Sequence, residues 1–492
     1  LVLRTFAILL LVGLLLPSVG YGATNLEGYT EAYLQLSGDS RVWRFDNPQM
    51  LVEFRIKSSP WPNTEAFLKM QGLSNKWENE RWENFFFLKE GHLKYRGSRV
   101  ETYLFTGQDR FWINEPLLNV VSNDIVKDDD WGPKAQGVRV DFWDTWGLVG
   151  TAFYSDKGTS YWQSVSPDVP AGNTSELADP TNSDDFRAGR LKRPLFGNRI
   201  LLGGTYARKD YGSGAREYDE VAAADFEVAL GELASPLSPF GRVTLIGEGG
   251  KNLSGWTGDE DPYGWKLELR DVGVGPFTLV GSLYDYDDRF YTGLARGDIA
   301  DDNDYHGHYL QLNYRVPRKA INLKGWRLRG KPHTFTTDRQ PFEETGGEVY
   351  VEFVHGFIGK VEYKRWQDKN GTWPNVLFEI VGENKLVKVR TQYRIRDIGT
   401  KYELRVFGFE ANTNLTDNWK FYSRLLMVDE KTEARETIFA QVQYTGWSSA
   451  EFFVEFGDWG QSNDLANTDW FVSHDNNDTT RRQFKAFMKL YY

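Results

Sequence analysis

Along most of this 492-residue chain, apolar and polar side chains alternate one for one in short runs that end in Gly, Pro, Asn, Asp or Ser. Residues 50–57 place Val52, Phe54 and Ile56 on one side and Glu53, Arg55 and Lys57 on the other. Residues 385–396 set Val387, Val389, Thr391, Tyr393 and Ile395 against Lys388, Arg390, Gln392, Arg394 and Arg396. The last ten residues set Phe484, Ala486, Met488, Leu490 and Tyr492 against Lys485, Phe487, Lys489 and Tyr491. A period of two belongs to a β-strand, whose successive side chains point to opposite faces. Amphipathic helical spacing is scarce, and no composition break divides the chain. The pattern predicts an all-β protein of one domain, built from strand after strand.

The polar faces raise the question of where the water is. A Lys or Arg turned toward lipid at mid-bilayer costs about 2–4 kcal/mol, so the bases on one face of residues 385–396 demand a wet surface. In a soluble sandwich that surface is the outside; in a membrane barrel it is the lumen. This strand alone does not choose. The N-terminus adds Arg4, an apolar run from Phe6 to Leu16, then Pro17 and small residues up to Ala23. Such a run is too short to span a bilayer and reads as a secretory signal over residues 1–22. No other window is apolar enough for a transmembrane helix, and the mean hydropathy is −0.53. A barrel keeps that average low, because only alternate strand residues face lipid. Aromatic residues make up 15% of the chain, an excess that interfacial girdles would use. The absence of cysteine excludes disulfides and thiolate metal sites. A net charge of −11 argues against a nucleic-acid partner.

The closing alternation and the leader together resemble the last strand and export signal of porin-like bacterial outer-membrane β-barrel proteins. The resemblance is architectural and covers residues 23–492. It implies a transmembrane antiparallel up-and-down β-barrel in the cell outer membrane, with an even strand number between 18 and 24. It also implies that Phe484, Met488, Leu490 and Tyr492 form the address read by the barrel-assembly machinery, with Tyr where Phe is usual. Connections at 58–63, 97–98 and 144–147 read as short turns, and those at 72–84, 108–136 and 155–185 as long loops. Residues 86–143, with the long loop opening on Gly107-Gln-Asp-Arg-Phe111, look like the first half of such porins. They also look like part of the exopolysaccharide-exporting barrels.

What the resemblance implies for function is passive diffusion of small hydrophilic solutes, amid outer-membrane lipids and lipopolysaccharide, with a homotrimer as one arrangement. Turning each polar strand face to the lumen lines the pore with Arg55, Lys57, Arg139, Arg270, Lys360, Lys364, Lys388, Arg390, Arg394 and Arg396. The acids on those faces, such as Glu53, Asp141, Glu268, Glu348 and Glu362, are fewer, which places the remaining acids in loops. That excess favours anions or acidic saccharides; a mixed-charge lumen with little selectivity is the alternative.

The 108–136 loop carries Phe111, Trp112, Leu117, Leu118, Val120 and Val121, followed by Asp128, Asp129 and Asp130. It either folds inward as a constriction or stands outside as an exposed loop. Acidic runs at 128–130, 285–288 and 298–304 suit loop-bound Ca²⁺ or simply solvated loops, and none has the EF-hand order. His306 and His308 share a strand face but lack a third ligand nearby. No Gly-x-Ser-x-Gly, His-Glu-x-x-His or phosphate-cradling loop is present, so no enzyme is expected. The competing class is a secreted soluble β-protein that binds or cleaves carbohydrate, although blade-length repeats are missing.

Overall fold

The computed structural model describes residues 24–39, 42–45, 49–78, 81–106, 113–121, 136–156, 185–211, 217–255, 262–292, 294–295, 303–317, 319–336, 339–354, 356–430, 433–457 and 482–491. Residues 1–23, which hold the expected signal, and Tyr492 lie outside that set.

The first strands are β1 (Thr24–Asp39), β2 (Val42–Phe45), β3 (Gln49–Ser58), β4 (Thr64–Glu78), β5 (Arg81–Arg96), β6 (Val100–Thr106), β7 (Gln136–Thr145) and β8 (Leu148–Asp156). Next come β9 (Asp185–Leu195), β10 (Ile200–Asp210), β11 (Tyr218–Ala229), β12 (Thr244–Asn252), β13 (Tyr263–Val274), β14 (Phe277–Tyr286), β15 (Tyr305–Arg315) and β16 (Ile321–Pro332). The chain continues through β17 (Phe342–Val354), β18 (Phe357–Asp368), β19 (Gly371–Glu383), β20 (Val387–Arg396) and β21 (Leu404–Asn414). It ends with β22 (Trp419–Glu430), β23 (Glu433–Tyr444), β24 (Ala450–Phe456) and β25 (Arg482–Tyr491).

Strand pairing closes the sheet. β1 pairs antiparallel with β25 from Tyr29↔Tyr491 to Gly38↔Arg482. The other edge of β1 is shared: residues 24–33 pair with β3 and residues 36–39 with β2. The two segments β2 and β3 are therefore one interrupted wall strand, and the barrel has 24 strands. That number lies within the expected even range. Closure gives every wall strand a hydrogen-bonded neighbour on each side, the condition for strands to cross a membrane.

A closed sheet has two faces, and they differ sharply. One carries exposed Leu104, Leu191, Leu202, Leu283, Leu310, Leu312, Val361, Phe378 and Ile438. The other carries buried ion pairs such as Arg190 with Asp225 and receives two loop segments that reach across from β6 to β12, so it is the interior. A continuous band of exposed large apolar side chains is a surface for lipid. A single closed sheet with that exterior rules out the soluble sandwich.

Turn chemistry fits the short connections. Trp146 and Gly147, with φ of 54° and 71°, link Thr145 to Leu148 as a two-residue hairpin with both central residues left-handed. The expected long loop at 72–84 is absent. There β4 and β5 stay paired up to Glu78↔Arg81, and bulges at Asn75 and Lys89 shift the alternation by one residue, which hides both strands from a period-two reading.

Candidate functional site

The larger of two buried apolar clusters among the described residues lies in the interior, and part of the 107–135 connection builds it. Ile113, Leu117, Leu118, Val120 and Val121 are buried against Phe105 of β6, Phe153 of β8, Phe186 and Ala188 of β9, Ala207 of β10 and Val221 of β11. A second inserted segment, from the β14–β15 connection, adds Phe290, Tyr291, Leu294 and Ala295. Residues 113–121 are packed against the interior wall and do not stand outside the barrel. Phe111, Trp112, Asp128, Asp129 and Asp130 lie outside the described residues.

Polar contacts seat the insert. The backbone N–H groups of Leu117 and Leu118 both donate to Glu248 Oε2, at 2.7 and 2.8 Å. The Tyr291 hydroxyl donates to the Leu118 carbonyl at 3.1 Å, and the Val121 N–H donates to Glu115 Oε2 at 3.2 Å. Asn119 takes a left-handed φ of 50° at the bend, a conformation Asn tolerates better than most residues. Glu248 sits in the run Gly247-Glu-Gly-Gly250. Glycine inside a strand marks close approach of another group, and a Cβ on Gly250 would lie 3.3 Å from the Phe290 ring. That run was the sequence signal for the contact, and alternation alone passed over it.

Gly264 of β13 matters more. A Cβ there would lie 2.5 Å from the Phe290 ring carbons. Gly264→Val is therefore expected to destabilise the packed insert by about 1–3 kcal/mol. The check is loss, at lower temperature, of the heat-resistant folded form on an electrophoresis gel; an unchanged transition would contradict the packing.

The charges beneath the insert are unevenly compensated. Arg190, 4% exposed, pairs with Asp225 at 2.7 Å and donates to Thr205 Oγ1 at 2.6 Å. Glu115 and Glu248 add two more carboxyls, and the Oε1 atom of each is enclosed without a hydrogen-bond partner among the described residues. Burial, reinforced by the Glu248 charge, pushes the Glu115 carboxyl up to about 8. At neutral pH it holds its proton, which removes one of the surplus charges.

The ten basic residues expected to line the pore all fall on the interior face by strand alternation. Most have acidic partners. Arg55 and Lys69 meet buried Glu53 at 2.6 and 3.4 Å, and Lys57 meets Glu27 at 3.3 Å. Arg139 pairs with Asp141 at 2.9 Å, and Arg270 with Glu268. Lys360 lies 3.4 Å from Glu348 and 2.6 Å from Glu362, and Lys364 lies 2.9 Å from Glu344. On β20, Arg390 meets Glu379 at 2.7 Å and Lys388 meets Glu383 at 3.7 Å. Arg394 and Arg396 share that face, with Leu377 and Val406 flanking Arg394 in the register.

The expectation that acids on this face are few needs correction. Glu101, Asp225, Glu227, Glu248, Glu344, Glu379 and Glu410 also point inward. They went unnoticed because a strand with two mixed faces shows no clean alternation.

Elsewhere, Phe484, Met488 and Leu490 share the outward face of β25 and are partly exposed. Among the acidic runs, Asp285 pairs with His333 at 2.8 Å, while Asp288 and Asp304 pair with Arg339 at 2.7 and 3.3 Å. His306 lies beside His333, with ring centroids 4.7 Å apart. Among the described residues no group of three or more His, Asp or Glu is placed to hold a metal ion.

Closure, the exposed apolar exterior and the charged interior define a transmembrane β-barrel of the outer membrane. The sequence matches no protein-family model and no curated protein. Among solved structures, the chain is similar to the E. coli P pilus tip assembly intermediate PapC-PapD-PapK-PapG, with TM-score 0.51 and 10% identity over 97% of this chain and 62% of that one. It also aligns with the siderophore receptor PirA from Pseudomonas aeruginosa, with TM-score 0.42 and 7% identity over 96% of this chain and 80% of that one. A BenF-like porin from Pseudomonas fluorescens Pf-5 aligns with TM-score 0.38 and 14% identity, over 77% of this chain and 100% of that one. At these identities the likeness is one of fold.

Proposed function

We propose that the protein is an outer-membrane channel for passive diffusion of small hydrophilic solutes, narrowed by the insert at residues 113–121. The observation that carries this reading is the division of the interior wall. One sector is covered by the apolar insert, while other stretches are lined by paired charges such as Lys360 with Glu362 and Arg390 with Glu379. Paired charges stay hydrated and present no single-sign barrier, so solutes of either sign pass. Along β20 the wall leans basic, with Lys388, Arg390, Arg394 and Arg396 beside Glu379, Glu383 and Glu410. That local excess supports a mild preference for anions or acidic saccharides. No step of this function calls for catalysis, and the outward face of β25 serves as the assembly address.

Liposome swelling tests the solute class. Vesicles containing the refolded barrel are expected to swell in monosaccharides, more slowly in larger oligosaccharides, and slightly faster with a uronic acid than with an amino sugar of equal size. Vesicles that swell no faster than protein-free controls would contradict the channel.

A further inference from the structure

Charged side chains on the exterior are costly where lipid tails surround them, so their position indicates what they meet. On β17 the outward positions run Val351, Val349, Gly347, Thr345 and Glu343. The register places Leu323 and Val361 beside Val349, Arg327 and Arg365 beside Thr345, and Arg329 and Gln367 beside Glu343. From Val351 to Glu343 is about 26 Å along the strand at ~3.3 Å per residue, or about 20 Å in height at a tilt of ~40°. The exterior thus changes from aliphatic to basic near the top of an apolar band about 25 Å tall. That end is the one bearing the long 107–135 and 157–184 connections.

Arg327, Arg329, Lys331 and Arg365 are all exposed there. Glu343 is the one acid on the outward positions of β16, β17 and β18. Its carboxylate accepts from Arg327 Nε and Nη2 at 3.0 and 3.2 Å and from Arg329 Nε at 2.7 Å. It therefore holds two guanidinium groups side by side without cancelling them. On the neighbouring strand β18, Arg365 is steadied by its strand-mate Gln367, whose Oε1 accepts from it at 2.7 Å. Planar guanidinium groups fit phosphate oxygens two at a time.

We propose that this patch across β16–β18 binds the phosphate monoesters of a phosphorylated glycolipid in the outer leaflet. A monoester carries up to two charges and three terminal oxygens and can engage several guanidinium groups at once; the diester of an ordinary phospholipid offers one charge. The inference rests on the barrel's place in the membrane and not on its conducting solutes.

Native mass spectrometry of the detergent-solubilised barrel tests it with four probes: diphosphoryl lipid A, dephosphorylated lipid A, phosphatidylglycerol and inorganic phosphate. Retention of diphosphoryl lipid A at about tenfold lower concentration than the others is expected. Combining Arg327→Gln, Arg329→Gln and Arg365→Gln should weaken it at least about tenfold, the loss of one or more charge-assisted contacts, with conductance unchanged. Glu343→Gln, which removes the acid and keeps the bases, should tighten it. Equal retention of dephosphorylated lipid A or phosphatidylglycerol would overturn the proposal. So would equal competition by inorganic phosphate, which marks a general anion site, or unaltered binding by the triple variant.

Discussion

Replacing residues 113–121 with a short Gly-Ser linker is expected to raise single-channel conductance several-fold. The segment buries Ile113, Leu117, Leu118, Val120 and Val121 against the wall from β6 to β11, so it occupies cross-section that ions would otherwise use. Each such side chain contributes about 1.5–3 kcal/mol on burial, enough to hold the segment in place without covalent anchorage. The barrel itself should survive, because closure depends on the β1–β25 ladder and its neighbours and not on the insert. Glu248 loses the two backbone donors it now accepts from, and water entering the vacated space replaces them. A linker variant that folds and conducts like the parent protein would show that the insert does not narrow the path.

The seating of that insert should weaken as pH rises. With the Glu115 carboxyl pushed up to about 8 in the seated state, the seated form holds a proton that a released, hydrated form would give up at the ordinary carboxylate value of about 4.5. Sign follows from linkage: the contribution is full below about pH 4.5, is lost progressively as pH climbs, and is gone above about 8. Within that interval, one proton changes the seated-to-released ratio about tenfold per pH unit. Ionised Glu115 would sit enclosed beside Glu248, with Arg190 already committed to Asp225 at 2.7 Å. The expected result is weaker protection of the Leu117 and Leu118 amides, taken relative to the intrinsic base-catalysed exchange rate at each pH, and a larger or noisier conductance, at about pH 9 than at about pH 6. Glu115→Gln should flatten both profiles. A pH-independent parent protein, or a variant that keeps the full dependence, would remove Glu115 from this role.

Much of the wall was legible because lipid on one side and water on the other impose a strict period of two. Residues 50–57 and 385–396 could be assigned to faces from sequence, and the structure places them as that alternation requires. The signal failed where this contrast was lost. In β16, Leu323 and Arg329 share the outward face while Lys324 and Leu328 share the inward one, so neither face looks apolar. In β4 and β5, bulges at Asn75 and Lys89 broke the count. Pro194, unfavourable inside a strand because it lacks an N–H, sits near the end of β9, whose ladder with β10 still runs through Pro194↔Leu201. The insert was half legible: its apolar composition pointed inward, but its anchor, Glu248, lies more than a hundred residues away. Only the glycines around Glu248 and at Gly264 hinted that something packs against that wall.

Planar-bilayer recording of the refolded protein under a salt gradient tests the central claim most directly. Discrete conductance steps with a reversal potential displaced slightly toward the anion value are predicted, as the basic row on β20 requires. Bilayers that stay silent at protein concentrations where insertion is verified would contradict a channel. A strong displacement toward the cation value would keep the channel but contradict the role assigned to Lys388, Arg390, Arg394 and Arg396.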